Sequence, residues 1–206
     1  MERGAARTIE SLGKGAEGIA LTFDDGPDPD YTPKVLELLA RHGARATFFL
    51  LGMRAAEQPE LAARIAAEGH EIGNHTWHHP DLTAESEETA RREIGQAQQL
   101  LERLTGRAPA LFRSPYGTFD DRLLRLAEEL GLGFCLWSVD TEDWRLPGAD
   151  ALAERISGAR PGDIVLLHDA GGDRRQTLEA LERALPELAA SYRLDTVSSL
   201  LRGDPG

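Results

Sequence analysis

Short apolar runs alternate with longer segments of helical periodicity along most of this chain, and this alternation constrains the fold more than any other feature. Apolar runs occur at Gly18 to Phe23, Ala46 to Leu51 and Asp163 to His168. Between them, as at residues 94–104, apolar side chains recur three or four positions apart. Strands that alternate with helices form a largely parallel sheet. About seven such repeats predict a single-domain α/β fold, a deformed (β/α) barrel of about seven parallel strands.

The repeats place one domain at residues 18–201, with a polar N-terminal tail at 1–17 and a short C-terminal tail at 202–206. The longest helical pattern is predicted to begin after a cap at Thr83 and to end at Gly106. The polar start of the chain has no apolar stretch of the roughly 7 to 15 residues that a secretory signal needs, so it does not read as an intact signal. No apolar run approaches the roughly 18 residues that span a bilayer, and we expect no membrane insertion.

Charge and cysteine content narrow the possible partners. The formal net charge of −12 disfavours binding to nucleic acid or to an anionic membrane surface, because both depend on clustered positive charge. The single cysteine, Cys135, excludes an internal disulfide and any site built from several thiolates. A tightly held metal would therefore be bound by nitrogen and oxygen.

Two adjacent carboxylates, Asp24 and Asp25, end the first apolar run. The segment Asp-Asp-Gly-Pro-Asp is equally compatible with a simple turn, since these are the usual turn residues. Neighbouring carboxylates repel each other unless a cation or a hydrogen-bond donor lies between them. The pair is thus a candidate for metal binding.

Three of the six histidines lie within five residues, at His75, His78 and His79. A surface histidine is usually only solvated. His75 and His79 are four positions apart, however, which would place both imidazoles on one side of a helical turn, where one cation could bind both. The spacing directs His78 elsewhere, so we expect it to be a bystander.

Three further strand ends carry polar side chains. Arg113 precedes a Ser-Pro-Tyr-Gly segment that also fits a turn, but an arginine there could hold a nearby carboxylate ionised. Asp143 and His168 also fit non-catalytic interpretations, Asp143 as a solvated acid and His168 as a packed histidine. Placed together, an aspartate raises the pKa of an imidazole and suits it to act as a general acid near neutral pH.

All three tryptophans lie in these polar segments, at Trp77, Trp137 and Trp144. Aromatic faces at the mouth of a site suit the apolar faces of sugar rings. Trp137 is equally compatible with a place in the core.

Taken in order, the segments TFDDGPD, HTWHH, RSPYG, DTEDW and LLH, between residues 22 and 168, resemble the signature of the polysaccharide deacetylases of carbohydrate esterase family 4. The resemblance implies a deformed β/α barrel and a hydrolase acting on carbon–nitrogen bonds other than peptide bonds. It implies that Asp25, His75 and His79 hold a divalent metal, most often Zn²⁺ with Co²⁺ as the other candidate. A water bound to that metal would attack the acetyl group.

The resemblance also assigns roles to the remaining motif residues. Asp24 would be the general base, and Arg113 would tether it. His168 would be the general acid, supported by Asp143. The backbone N–H of Tyr116 would donate to the oxyanion. The side chains of Trp144 and Trp77 would contact the substrate.

The resulting expectation is removal of N-acetyl groups from N-acetylglucosamine-containing glycans, either chitin-like or peptidoglycan, by a monomer. An acetylxylan O-deacetylase of the same mechanism is the nearest alternative. A non-catalytic glycan-binding module is a more remote one and would require a damaged catalytic set. Such glycans lie outside the cytoplasm, so the substrate class suggests a secreted or cell-envelope protein.

Overall fold

The computed structural model describes residues 8–13 and 15–203, and within them nine strands form one sheet in the order β1-β6-β5-β4-β3-β2-β8-β7, with β9 paired to β2. Every pairing between neighbouring strands is parallel. The strands are β1 Thr8–Ile9, β2 Gly18–Asp24, β3 Thr47–Leu50, β4 Glu71–Asn74, β5 Leu111–Phe112, β6 Gly133–Cys135, β7 Val139–Asp140, β8 Ile164–His168 and β9 Arg193–Leu194.

Eight α-helices connect or flank these strands in the described part of the chain. They are α1 Thr32–Arg41, α2 Gly52–Glu57, α3 Pro59–Ala67, α4 Glu87–Thr105, α5 Asp121–Glu129, α6 Ala149–Ser157, α7 Arg175–Ser191 and α8 Val197–Arg202. None of them is long and apolar enough to cross a membrane.

The central strand β2 sorts its side chains between two environments because successive residues point to opposite faces. Leu21 and Phe23 pack with the helices on the outer face, where Phe23 stacks on Phe48 of β3 at 5.1 Å between ring centroids. Ala20 faces a smaller inner cluster that includes Phe49. This alternation places Asp24 on the inner face at the carboxyl end of the strand.

Parallel pairing gathers the polar motifs at one edge of the sheet. Asp24 lies in register with His168 of β8 and with Phe49 of β3. Asn74, at the end of β4, pairs with Phe112 at the end of β5. Because all these strands run the same way, the residues that follow them meet at the same rim.

The start of α4 differs from the prediction. Ser86, not Thr83, caps the helix, and its hydroxyl accepts a hydrogen bond from the Thr89 N–H at 3.1 Å. Thr83 instead bonds Asp81 within a preceding turn. The predicted end at Gly106 is confirmed, with that residue left-handed at φ 73°.

The apolar run at 134–139 predicts one strand, but this part of the chain forms two short strands, β6 and β7. The carbonyls of Cys135 and Leu136 accept hydrogen bonds from Arg113, so the chain leaves the sheet there. Thr8 and Ile9, expected in the N-terminal tail, pair with β6. The rest of that tail, residues 1–7, and most of the C-terminal tail, residues 204–206, lie outside the described residues.

Ser86→Ala is expected to lower the free energy of unfolding by about 1 kcal/mol, because it removes the side-chain acceptor at the first turn of α4. Thr83→Ala should change it by less than about 0.5 kcal/mol, as is usual for an exposed site. Urea denaturation of both variants gives the comparison. The reverse order would mean that Thr83 is the true cap.

Candidate active site

The two carboxylates at the end of β2 diverge because their backbones differ. Asp24 is the last residue of the strand, whereas Asp25 is left-handed at φ 73°. Asp25 also faces Gly171, where a Cβ atom would lie 2.6 Å from Asp25 Oδ2. Gly171 has φ +77°, so both its conformation and its closeness to Asp25 require glycine.

His75 and His79 approach each other through a loop, and the expected helical turn is wrong. Thr76 and His79 have left-handed backbone angles, at φ 73° and 65°, which a right-handed α-helix does not allow. The loop still brings the two imidazoles together, with ring centroids 5.0 Å apart. The spacing of four residues thus correctly predicted that the two imidazoles lie close together, but not that a loop rather than a helix brings them there.

Asp25, His75 and His79 form a cluster that fits a divalent cation. Asp25 Oδ1 lies 3.5 Å from His75 Nε2 and 3.3 Å from His79 Nε2, and all three possible ligand atoms lie within 4.8 Å of one another. Asp25 Oδ1 is buried and has no hydrogen-bond partner among the described residues. An unpaired buried carboxylate oxygen facing two imidazole nitrogens is the arrangement that a metal would satisfy.

The orientation of His75 is determined by a backbone contact. Its Nδ1 lies 2.7 Å from the Arg113 carbonyl oxygen, which can only accept, so Nδ1 donates the proton. Nε2 therefore carries the lone pair that faces Asp25. Such a partner on the far side of the ring is typical of metal-binding histidines.

The charges in this cluster shift its titration. Burial by itself would raise the pKa of Asp25, but the His75, His168 and His79 imidazoles outweigh it and hold that pKa below its usual range. The pKa of His79 is lowered, chiefly by burial and by the neighbouring His75. Both shifts favour an ionised carboxylate beside a neutral imidazole, the protonation states that bind metal.

Arg113 holds Asp24 in place from the inner face of the sheet. The guanidinium is fully buried, and its Nη1 donates to Asp24 Oδ1 at 2.8 Å and to Thr22 Oγ1 at 2.8 Å. The carbon centre of the group lies 4.1 Å from the Phe49 ring centroid. Asp24 Oδ1 is thus engaged, while Oδ2 lies 3.8 Å from His75 Nε2, on the side of the metal cluster.

The half-buried His168 and the buried Asp143 form a pair on the other side of the site. His168 Nδ1 lies 2.6 Å from Asp143 Oδ1, and the His168 backbone N–H donates to Asp143 Oδ2 at 2.9 Å. Thr177 of α7 donates its hydroxyl proton to the same Oδ2, also at 2.9 Å. Three donors thus fix the carboxylate and orient the imidazole so that Nε2 is available to the site.

The pKa of His168 is raised by its surroundings. Burial acts to lower it, but the hydrogen bond and charge of Asp143 outweigh burial, and Asp24 and Asp25 add to the effect. The imidazole therefore stays protonated to higher pH than an ordinary histidine, which suits proton donation near neutrality.

The aromatic residues divide between exposed and packed positions. Tyr116 is 67% exposed and Trp144 50% exposed, and the Arg145 guanidinium lies over one face of the Trp144 ring, 4.6 Å from its centroid. The Tyr116 ring lies 4.6 Å from that of His79. Trp77 is half-buried and packs on Gly52, where a Cβ atom would lie 2.5 Å from the indole. Trp137 packs in the same way against Gly117.

Three residues around the site escaped the sequence analysis. Glu93 is a buried acid on the apolar face of α4. The sequence could have indicated its burial, because Glu93 lies four positions before the apolar Ala97 and therefore on the same helix face. Asp169 is fully buried beside His168, accepts a hydrogen bond from Thr32, and has its pKa raised to about 7 by burial. Thr177 has no sequence signal, since a threonine in a helix is unremarkable.

A cavity of about 470 Å³ lies at the opposite edge of the sheet, and none of the five motifs lines it. Its walls include Arg45, His70 and Glu71. His70 has a structural role, because its Nδ1 accepts a hydrogen bond from the Ala46 N–H at 3.1 Å and burial lowers its pKa to about 4.

Comparison with known proteins gives consistent matches. The sequence profile of the polysaccharide deacetylase family matches residues 13–135. A peptidoglycan-N-acetylglucosamine deacetylase of Bacillus cereus is 46% identical over 188 residues, which span 89% of this chain and 88% of the relative. A chitooligosaccharide deacetylase of Sinorhizobium fredii is 41% identical over 194 residues, spanning 88% of this chain and 90% of the relative.

Among solved structures, a peptidoglycan N-acetylglucosamine deacetylase in complex with a benzamide compound superposes with a TM-score of 0.91. It is 39% identical, and the match covers 96% of this chain and 94% of that one. The prediction of a single-domain α/β fold, a deformed (β/α) barrel of parallel strands, is thereby confirmed, and its curled sheet forms a half-barrel.

Proposed function

The chain belongs to the polysaccharide deacetylase family, and from that premise we propose that it hydrolyses the N-acetyl groups of N-acetylglucosamine-containing glycans. The observation that carries the proposal is the Asp25–His75–His79 cluster with Asp24 beside it. Deacetylases of both peptidoglycan and chitooligosaccharides are among its relatives, so either glycan is a candidate substrate.

In the proposed mechanism, Asp25, His75 and His79 would hold a divalent ion, which would supply Lewis-acid activation of the acetyl carbonyl and of the attacking water. Asp24 accepts the proton of that water through Oδ2, because Arg113 occupies Oδ1. The backbone N–H of Tyr116 donates to the developing oxyanion, a contact typically worth about 10² to 10³ in rate. His168 then donates its Nε2 proton to the leaving nitrogen as the carbon–nitrogen bond breaks, which leaves acetate and a free amine.

We propose Zn²⁺ as the ion, with Co²⁺ as the alternative. Two imidazoles and one carboxylate are a common ligand set of hydrolytic zinc sites, and they leave positions open for water and substrate. The exposed rings of Tyr116 and Trp144 support binding of an extended glycan, and the Tyr116 ring lies beside the cluster, 4.6 Å from the His79 ring. The monomeric state expected from the sequence stays a prediction, as do the individual residue roles.

Removing the metal with a chelator is expected to abolish acetate release from N-acetylglucosamine oligomers, and added Zn²⁺ or Co²⁺ should restore it. Acetate is measured in parallel from acetylated xylan, which separates the O-deacetylase alternative. Undiminished activity of fully metal-stripped protein would refute the mechanism. Binding of the oligomers without any acetate release, at saturating metal, would favour the non-catalytic module.

A further inference from the structure

We propose that Glu93 of α4 is a positioning residue for the metal site, because it holds the backbone of the loop between His75 and His79 in its binding conformation. The inference rests on the proposed metal-binding function. No motif includes Glu93, and no part of the mechanism above uses it.

Glu93 is a buried carboxylate on the face of α4 that packs against the rest of the protein. Its side chain is 6% exposed, and its neighbours Ala90, Ile94 and Ala97 are buried as well. An acid in such a position is stable only when donors surround it. Glu93 is therefore expected to be stabilised by hydrogen-bond donors of the protein rather than by water.

Those partners all belong to the histidine loop. Glu93 Oε2 accepts the backbone N–H of Trp77 at 3.2 Å and that of His78 at 2.8 Å. Glu93 Oε1 lies 2.8 Å from His78 Nδ1. The imidazole of His78 is 59% exposed, and it also lies edge-on to the Trp77 ring, at 6.2 Å between ring centroids.

A full account of the loop amides shows why these bonds matter. The N–H of His75 bonds the Leu50 carbonyl, that of Thr76 the Asn74 side chain, and that of His79 the Thr76 hydroxyl. The remaining two amides between the histidines both depend on Glu93. Among the described residues, Glu93 is thus the acceptor from another element for these amides, while the Thr76 and Trp77 carbonyls accept hydrogen bonds from the Gly52 and Met53 N–H groups of α2.

The loop needs such support because its local preferences oppose its shape. Thr76 is β-branched and left-handed, and His79 is left-handed as well. Without the carboxylate, the N–H groups of Trp77 and His78 would lose their acceptor, and the loop could relax toward ordinary backbone angles. His79 Nε2 would then move from its place 3.3 Å from Asp25 Oδ1.

The test is titration of metal-free protein with Zn²⁺ against a chromophoric chelator, for wild type and three variants of Glu93. Glu93→Met removes both acceptors at similar volume and should weaken Zn²⁺ binding about 10- to 100-fold, as loss of an outer-shell partner typically does. Glu93→Gln keeps an oxygen for both amides and can donate to His78, so it should bind close to wild type. Glu93→Asp keeps the charge but is too short, and should fall between them.

Three comparisons decide the outcome. Glu102→Met, an exposed change on the same helix, is the matched control and should bind Zn²⁺ like wild type. Wild-type affinity in a folded Glu93→Met protein would overturn the inference, as would a loss in Gln but not in Asp, which would mean that charge rather than geometry acts. If Glu93→Met fails to fold, the order of Gln and Asp still decides. Wild-type protein that binds no Zn²⁺ would instead refute the proposed function.

Discussion

Asp25→Ala is expected to abolish acetate release and to weaken Zn²⁺ binding strongly. The loss of affinity should exceed the range of about 10- to 100-fold that is typical when an outer-shell partner is removed. Asp25 supplies the charged ligand of the cluster, and its buried Oδ1 has no other partner among the described residues. The imidazoles of His75 and His79 would remain, but two neutral ligands hold a divalent ion poorly. Zn²⁺ titration of the metal-free protein and acetate release at saturating metal are the two measurements.

Asp30→Ala is the matched control for this change. It removes an exposed carboxylate from the same stretch of chain, outside the cluster, and should leave Zn²⁺ affinity and acetate release as in wild type. An Asp25→Ala enzyme that kept both properties would show that the cluster is not the metal site.

His168→Asn is expected to lower kcat/KM for N-acetylglucosamine oligomers by about 10² to 10⁴, the range typical of a lost general acid. The loss should be much smaller for an aryl acetate, because its phenolate can leave without being protonated. Acetate release from the two substrates gives the comparison. Equal losses on both would mean that His168 does not act as the acid.

The same pair predicts a pH effect. Asp143→Asn removes the interaction that raises the pKa of His168, and burial, which lowers it, is then less opposed. Because a general acid works only while protonated, the alkaline limb of the kcat profile should move to lower pH. Asp140→Asn, an exposed change in the same motif, should leave the profile unchanged. An unmoved limb in Asp143→Asn would contradict the proposed support of His168.

Much of the fold was predictable because parallel strands and helices leave strong periodic signals. The start of β2, the end of β8 and the end of α4 lie where the sequence predicts them. Short elements were missed for a physical reason. The helices α2 and α8 have six residues each, too few for a periodic pattern to stand out. The break between β6 and β7 follows from hydrogen bonds to Arg113, which lies far away in sequence.

The site shows the same division. The donors of the metal cluster could be identified because few side chains other than carboxylates and imidazoles bind hard or borderline cations. The contacts of Glu93, Asp169 and Thr177 could not be predicted in this way, because the hydrogen-bond partner of each lies on a different element.

The sequence by itself determined which donor types the chain carries, in what order, and that parallel strands would deliver them to one rim. Only the tertiary structure decided which atoms face one another. Asp25, Thr76 and His79 adopt left-handed backbones that local preferences disfavour. Contacts between residues distant in the chain stabilise those conformations, and such contacts leave no local pattern in the sequence.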